Sequence, residues 1–113
     1  MKVNQLLPRL DKQVEFSLKC HRFIPNEAGC YVLTAYNDEV LYVGLTEDLQ
    51  RRFAQHRNDK EKCSKTPQGA AFWFYYLTCP MKELNRIERS WLNLHEDLYG
   101  VWPVLNKVYS PVK

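Results

Sequence analysis

Gly29-Cys30-Tyr31-Val32-Leu33-Thr34-Ala35-Tyr36-Asn37-Asp38-Glu39-Val40-Leu41-Tyr42-Val43-Gly44-Leu45 is the stretch on which the fold turns. Residues 30–36 and 40–45 are rich in β-branched, aromatic and aliphatic side chains, and Asn37-Asp38-Glu39 between them carries turn chemistry. Two such runs joined by a short polar turn predict a β-hairpin.

Downstream the period changes. Thr46 can cap a helix, with Glu47 and Asp48 in its first turn, where the helix dipole favours anions. Leu49, Phe53 and His56 recur at helical spacing, so residues 47–57 read as a short amphipathic helix. Residues 57–69 form a polar, Lys-bearing loop. Ala71-Phe72-Trp73-Phe74-Tyr75-Tyr76-Leu77 reads as a central strand, stopped before Pro80. A second helix runs from Met81 to about Leu98 with Leu84, Ile87, Trp91, Leu94 and Leu98 on one stripe, and Gly100 ends it. Upstream, residues 1–24 are poorly patterned: Pro8 interrupts them, and only Val14, Phe16 and Leu18 alternate like a short strand. The expected class is α/β in the α+β sense, a small, mostly antiparallel three-stranded sheet flanked by helices.

The chain length of 113 residues fits one domain, 1–113, with no room for a second independent core. Its 45% hydrophobic and 26% charged residues are those of a globular protein and exclude disordered, collagenous and coiled-coil classes. A formal charge of +3 allows a nucleic-acid partner without demanding one. No apolar run approaches the ~18 residues of a membrane span, and Met1–Pro8 lacks the apolar core of a signal peptide, so the expected location is cytoplasmic. Cys20, Cys30, Cys63 and Cys79 are then expected as reduced thiols; their spacing gives no zinc pattern and suits small core filler. The four glycines (29, 44, 69 and 100) form no glycine-rich phosphate loop.

Several residues sit where local rules prefer another type. Glu88 borders the apolar stripe of the second helix, where a carboxylate is costly unless a cation or metal meets it. The plainer alternative is a rim glutamate paired with Arg89 or Arg52. Arg52 lies at the edge of the first helix's apolar face, where arginines commonly lay their stems over the core. His56 shares that face, as a core histidine would. Tyr31 and Tyr42 are strand residues of a kind that ordinarily pack.

Taken together they have a pattern. Gly29-Cys30-Tyr31, ten intervening residues, then Tyr42-Val43-Gly44 resembles the signature pair of the GIY-YIG nuclease superfamily, with Cys30 and Val43 replacing the central Ile of each triplet. The family pattern continues with an Arg on the next helix, followed one turn later by His or Tyr, matched by Arg52 and His56. A Glu on a later helix follows, matched by Glu88, and then Pro-x-x-Asn, matched by Pro103-Val104-Leu105-Asn106. The resemblance covers residues 28–107, leaves residues 1–24 outside as an N-terminal extension, and finds Leu45 where many relatives carry Lys.

The resemblance implies a metal-dependent endonuclease that hydrolyses DNA. Glu88 would be the one protein ligand of a divalent ion, Mg²⁺ or Mn²⁺, as suits an ion that keeps most of its waters and leans on substrate phosphate. Arg52, which shares the His56 face whereas Arg51 does not, would grip the scissile phosphate. Tyr31 would be the general base, with Tyr42 and His56 orienting it or sharing the proton. Gly29, Gly44 and Asn106 would form the wall of the site. Arg51 and the loop cations Arg57, Lys60, Lys62 and Lys65 are candidate contacts to the DNA backbone. The alternatives are a catalytically idle nucleic-acid- or protein-binding domain on the same scaffold, or the cutting module of a larger assembly whose protein partner selects the target.

Overall fold

The computed structural model describes residues 1–106. The hairpin is present as β2 (Gly29–Thr34) and β3 (Val40–Thr46), following β1 (Lys12–Glu15) and preceding β4 (Trp73–Thr78). The helices are α1 (Leu49–Arg57) and α2 (Leu84–Tyr99). The class is α+β as expected, but the sheet has four strands, all antiparallel, in the order β1-β4-β2-β3. The added strand is β1, from the segment that read poorly. Val14 faces Phe74 and Phe16 is buried, but Leu18 is 56% exposed, because a 3-10 helix over Leu18–Phe23 breaks the alternation. Met1, Val3 and Leu6 are also buried in the core, so residues 1–24 are integral to the fold.

Each face of the sheet carries one helix. Tyr31, Leu33, Phe74 and Tyr76 pack with Leu49 and Phe53 of α1. Cys30, Val32 and Val43 pack with Leu84, Ile87, Trp91 and Leu92 of α2. The α2 stripe therefore swings toward Leu92 and His95, and Leu98, expected inside, is 53% exposed. Gly100, at φ 80°, ends α2 as the sequence indicates.

Two local features position the site. In the hairpin, Leu33 pairs with Tyr42 but Thr34 pairs with Val40, so Leu41 is an extra residue in β3. This bulge reverses the alternation of β3: Val40 turns toward α2 while Tyr42 turns toward α1. At the other end of β3, α1 is capped by Asp48, whose carboxylate accepts from the Arg51 N–H at 3.1 Å, rather than by Thr46. Thr46 Oγ1 instead accepts from the Asp48 N–H at 3.0 Å, which moves the cap two residues along.

Candidate active site

Tyr31 is fully buried at the centre of the α1 face, and its ring stacks on Phe74 at 5.2 Å between centroids. It lies opposite Gly44 across the hairpin. A Cβ on Gly44 would stand 2.5 Å from the Tyr31 hydroxyl and 2.9 Å from Tyr42 Cε2. Only glycine leaves room there for the phenol to cross β3. Gly29 is constrained likewise, since a Cβ would lie 2.5 Å from the Leu77 carbonyl oxygen. With that room, the Tyr31 hydroxyl reaches His56 Nε2 at 2.6 Å, delivered from the last turn of α1.

Tyr42, half-buried, closes the group: its ring lies 6.0 Å from that of Tyr31 and 5.3 Å, edge to face, from that of His56. Arg52 is also half-buried, its Nε donating to Gln55 at 2.9 Å and a guanidinium NH₂ to the Leu45 carbonyl at 3.4 Å. Burial pushes the Tyr31 phenol well above its ordinary range, and the neighbouring Tyr42 adds to this while Arg52 opposes it. Burial also raises Tyr42, against the pull of Tyr31 and Arg52. Burial lowers His56 to about 4, helped by the cations Lys62 and Arg52. His56 is therefore neutral at pH 7, and its Nε2 can accept the Tyr31 proton.

That depressed pKa carries a stability consequence. The folded value, about 4, lies below the ordinary 6.5. The contribution is thus whole above pH 6.5 and lost as the pH falls toward 4, amounting to about 3 kcal/mol. His56→Gln should flatten the fall of folding stability between pH 6.5 and 4, as read by urea denaturation. Parallel curves for the two proteins would show that His56 is not buried uncharged.

Glu88 lies on α2, which packs on the face opposite α1, near enough for its charge to act on Tyr42. Its carboxyl is half-buried, and desolvation raises its pKa, opposed only by Arg89. Among the described residues no hydrogen bond or ion pair meets this carboxylate, so neither Arg89 nor Arg52 closes on it as the rim alternative requires. Its charge is felt at Tyr42 and at Cys30, which lies under α2 on the same face of the sheet. A half-buried, unpartnered carboxylate beside a polar cluster fits a hard divalent cation completed by water and phosphate.

Asn106 lies on the open edge of β3. Its Oδ1 accepts from the Val43 N–H at 2.8 Å and its Nδ2 donates to the Val43 carbonyl at 2.9 Å, replacing a neighbouring strand between Tyr42 and Gly44. The structure thus gathers Tyr31, Tyr42, Arg52 and His56, with Glu88 on α2 acting on Tyr42 and Gly29, Gly44 and Asn106 framing them.

The basic residues separate. Arg51, Lys60 and Lys65 are exposed. Arg57 is drawn inward, its guanidinium over Phe16 at 5.1 Å and donating to Cys63 Sγ at 3.2 Å. Lys62 turns inward over Tyr42. The sequence reading passed over Asp59, whose Oδ1 accepts from the backbone of Glu61 and Lys62; an Asp just past a helix end was the available signal.

The family profile of the GIY-YIG catalytic domain matches residues 27–100. A 42-residue segment, 37% of this chain, is 38% identical to the UvrABC system protein C of Finegoldia magna but spans only 7% of that protein. The crystal structure of the GIY-YIG N-terminal endonuclease domain of UvrC from Thermotoga maritima, a point mutant bound to its catalytic divalent cation, matches with a TM-score of 0.53 at 19% identity, over 78% of this chain and 91% of that one. The backbone likeness is thus one of fold, and the profile match over most of the chain places this protein in the GIY-YIG family.

Proposed function

We propose that this chain is a single-domain, metal-dependent endonuclease that hydrolyses DNA phosphodiester bonds. The observation that carries the proposal is the Glu88 carboxylate, unpartnered among the described residues and near enough for its charge to act on Tyr42, in the same fold as a buried Tyr31–His56 hydrogen bond and the Arg52 guanidinium. Glu88 would hold Mg²⁺ or Mn²⁺, which would neutralise phosphate charge and assist the leaving oxygen. Arg52 would present its planar fork to the scissile phosphate. Tyr31 would take a proton from the attacking water while its own passes to the neutral His56 Nε2. Because burial holds the Tyr31 proton firmly, no standing phenolate is needed. Gly29, Gly44 and Asn106 would keep the strand ends in register beneath these groups. Arg51, Lys60 and Lys65 would meet the flanking backbone. The four free thiols suit a reducing cytoplasm, and a protein partner would supply target choice. The test is incubation with supercoiled, linear, branched and single-stranded DNA in Mg²⁺ or EDTA; no strand scission in Mg²⁺ would defeat it and leave the idle binding domain.

One observation favours a second assignment of the base: Tyr42 is partly open to water, whereas Tyr31 presents no surface to it. If Tyr31 is the base, Tyr31→Phe loses about 10²-fold in rate with DNA binding kept. A Tyr31→Phe protein that turns over well beside an inactive Tyr42→Phe protein would move the role to Tyr42.

A further inference from the structure

The loop over residues 58–72 is tied to the end of α1. The Asn58 N–H donates to the Ala54 and Gln55 carbonyls and the Asp59 N–H to His56. The Cys63 N–H donates to the Asp59 carbonyl, and Cys63 Sγ lies 3.4 Å from both the His56 and Arg57 carbonyl oxygens. This turn directs one lysine inward. Lys62 Nζ lies 4.7 Å from the centroid of the Tyr42 ring, and its side chain is only 14% exposed, while Lys60 and Lys65 are exposed. Its carboxylate partner Asp59 stands 3.9 Å away, with a side chain that is 40% exposed.

A lysine in a polar loop loses hydration when it turns inward, and ordinarily it does so for a close ion pair. Here the ring face and a distant, wet carboxylate are the compensation, and together they are weak. A phosphate oxygen arriving between Arg52 and Tyr42 would give this ammonium a much stronger partner.

We propose that Lys62 is a second phosphate-binding cation of the active site, supplied by the loop and held ready by Asp59 and the Tyr42 ring. It is distinct from the exposed lysines, which meet the flanking backbone, and Asp59 is its positioning residue. On substrate binding, Lys62 exchanges Asp59 for a phosphate oxygen, so that Arg52 and Lys62 neutralise the reacting phosphate from two sides. This inference rests on the endonuclease reading.

The experiment separates the two. Binding of a DNA duplex is measured in EDTA, where no cleavage occurs, against salt concentration for the wild type, Lys62→Met and Lys62→Arg. Cleavage of bound DNA by the same three proteins is then measured in Mg²⁺, with thermal denaturation as the check on folding. Lys62→Met is expected to flatten the log–log salt dependence by about one unit. It should also slow cleavage of bound DNA at least about tenfold, a loss that Lys62→Arg largely restores. A loss of thermal stability alone, with unchanged slope and unchanged cleavage, would reduce Lys62 to a packing residue and overturn the proposal. A wild type that binds but does not cut, with the slope still reduced in Lys62→Met, would defeat the endonuclease reading and keep the phosphate contact. A wild type that neither binds nor cuts would overturn both.

Discussion

Glu88→Gln is expected to abolish Mg²⁺-dependent cleavage while leaving the fold and its thermal stability close to those of the wild type. The amide keeps the shape and removes the charge. Because among the described residues no hydrogen bond or ion pair holds the Glu88 carboxylate, neutralising it breaks no contact among them. Burial already disfavours the ionised form there, so the substitution relieves a desolvation penalty. A structural rim glutamate would behave in the opposite way, losing stability and keeping function. The checks are a plasmid-nicking time course and a thermal melt on each protein, with Mg²⁺ binding followed by calorimetry. Loss of the divalent-ion heat with the melt unchanged is the expected pair of results. Equal Mg²⁺-dependent activity in the two proteins would remove Glu88 from metal binding.

The hairpin, both helices and the order of the central elements were legible because each has a local cause. Residues 30–36 and 40–45 are two apolar runs around a polar turn, and Gly100 ends α2 where a helix needs a left-handed residue. What escaped depends on long-range packing. The sequence hints at β1 only through the alternation of Val14 and Phe16; the strand joins the sheet because β4 offers it an edge, with Gln13 opposite Tyr75. The bulge at Leu41 is equally silent in the sequence, yet it turns Tyr42 onto the α1 face and Val40 onto the other. The chemistry-bearing residues could be listed from their motif, but the relation among them could not. That Tyr31 meets His56, that Asn106 stands in for a strand beside Val43, and that Lys62 alone among the loop lysines turns inward are facts of three dimensions.

The contrast between two adjacent arginines puts the geometry to its sharpest use. Arg51 and Arg52 are chemically identical, but they leave α1 about 100° apart. Arg52 is half-buried, anchored to the Leu45 carbonyl at 3.4 Å and to Gln55 at 2.9 Å, and its charge is felt by Tyr31, Tyr42 and His56. Arg51 is exposed, and its charge acts on Asp48 at the helix start. A preorganised cation aimed at the reacting phosphate contributes to the transition state, whereas a mobile surface cation contributes to association. Arg52→Ala should therefore lower kcat by about 10²–10³. Arg51→Ala should act chiefly through KM, and its effect should fade as salt is raised. Arg52→Lys tests the fork itself: it keeps the charge but loses the planar two-point grip, so it should recover only part of the rate. Single-turnover cleavage at saturating protein reads the chemical step without the association term. If Arg51→Ala and Arg52→Ala slow that step equally, the phase of α1 against the site is not what places the cation, and the phosphate must be held from the loop side by Lys62.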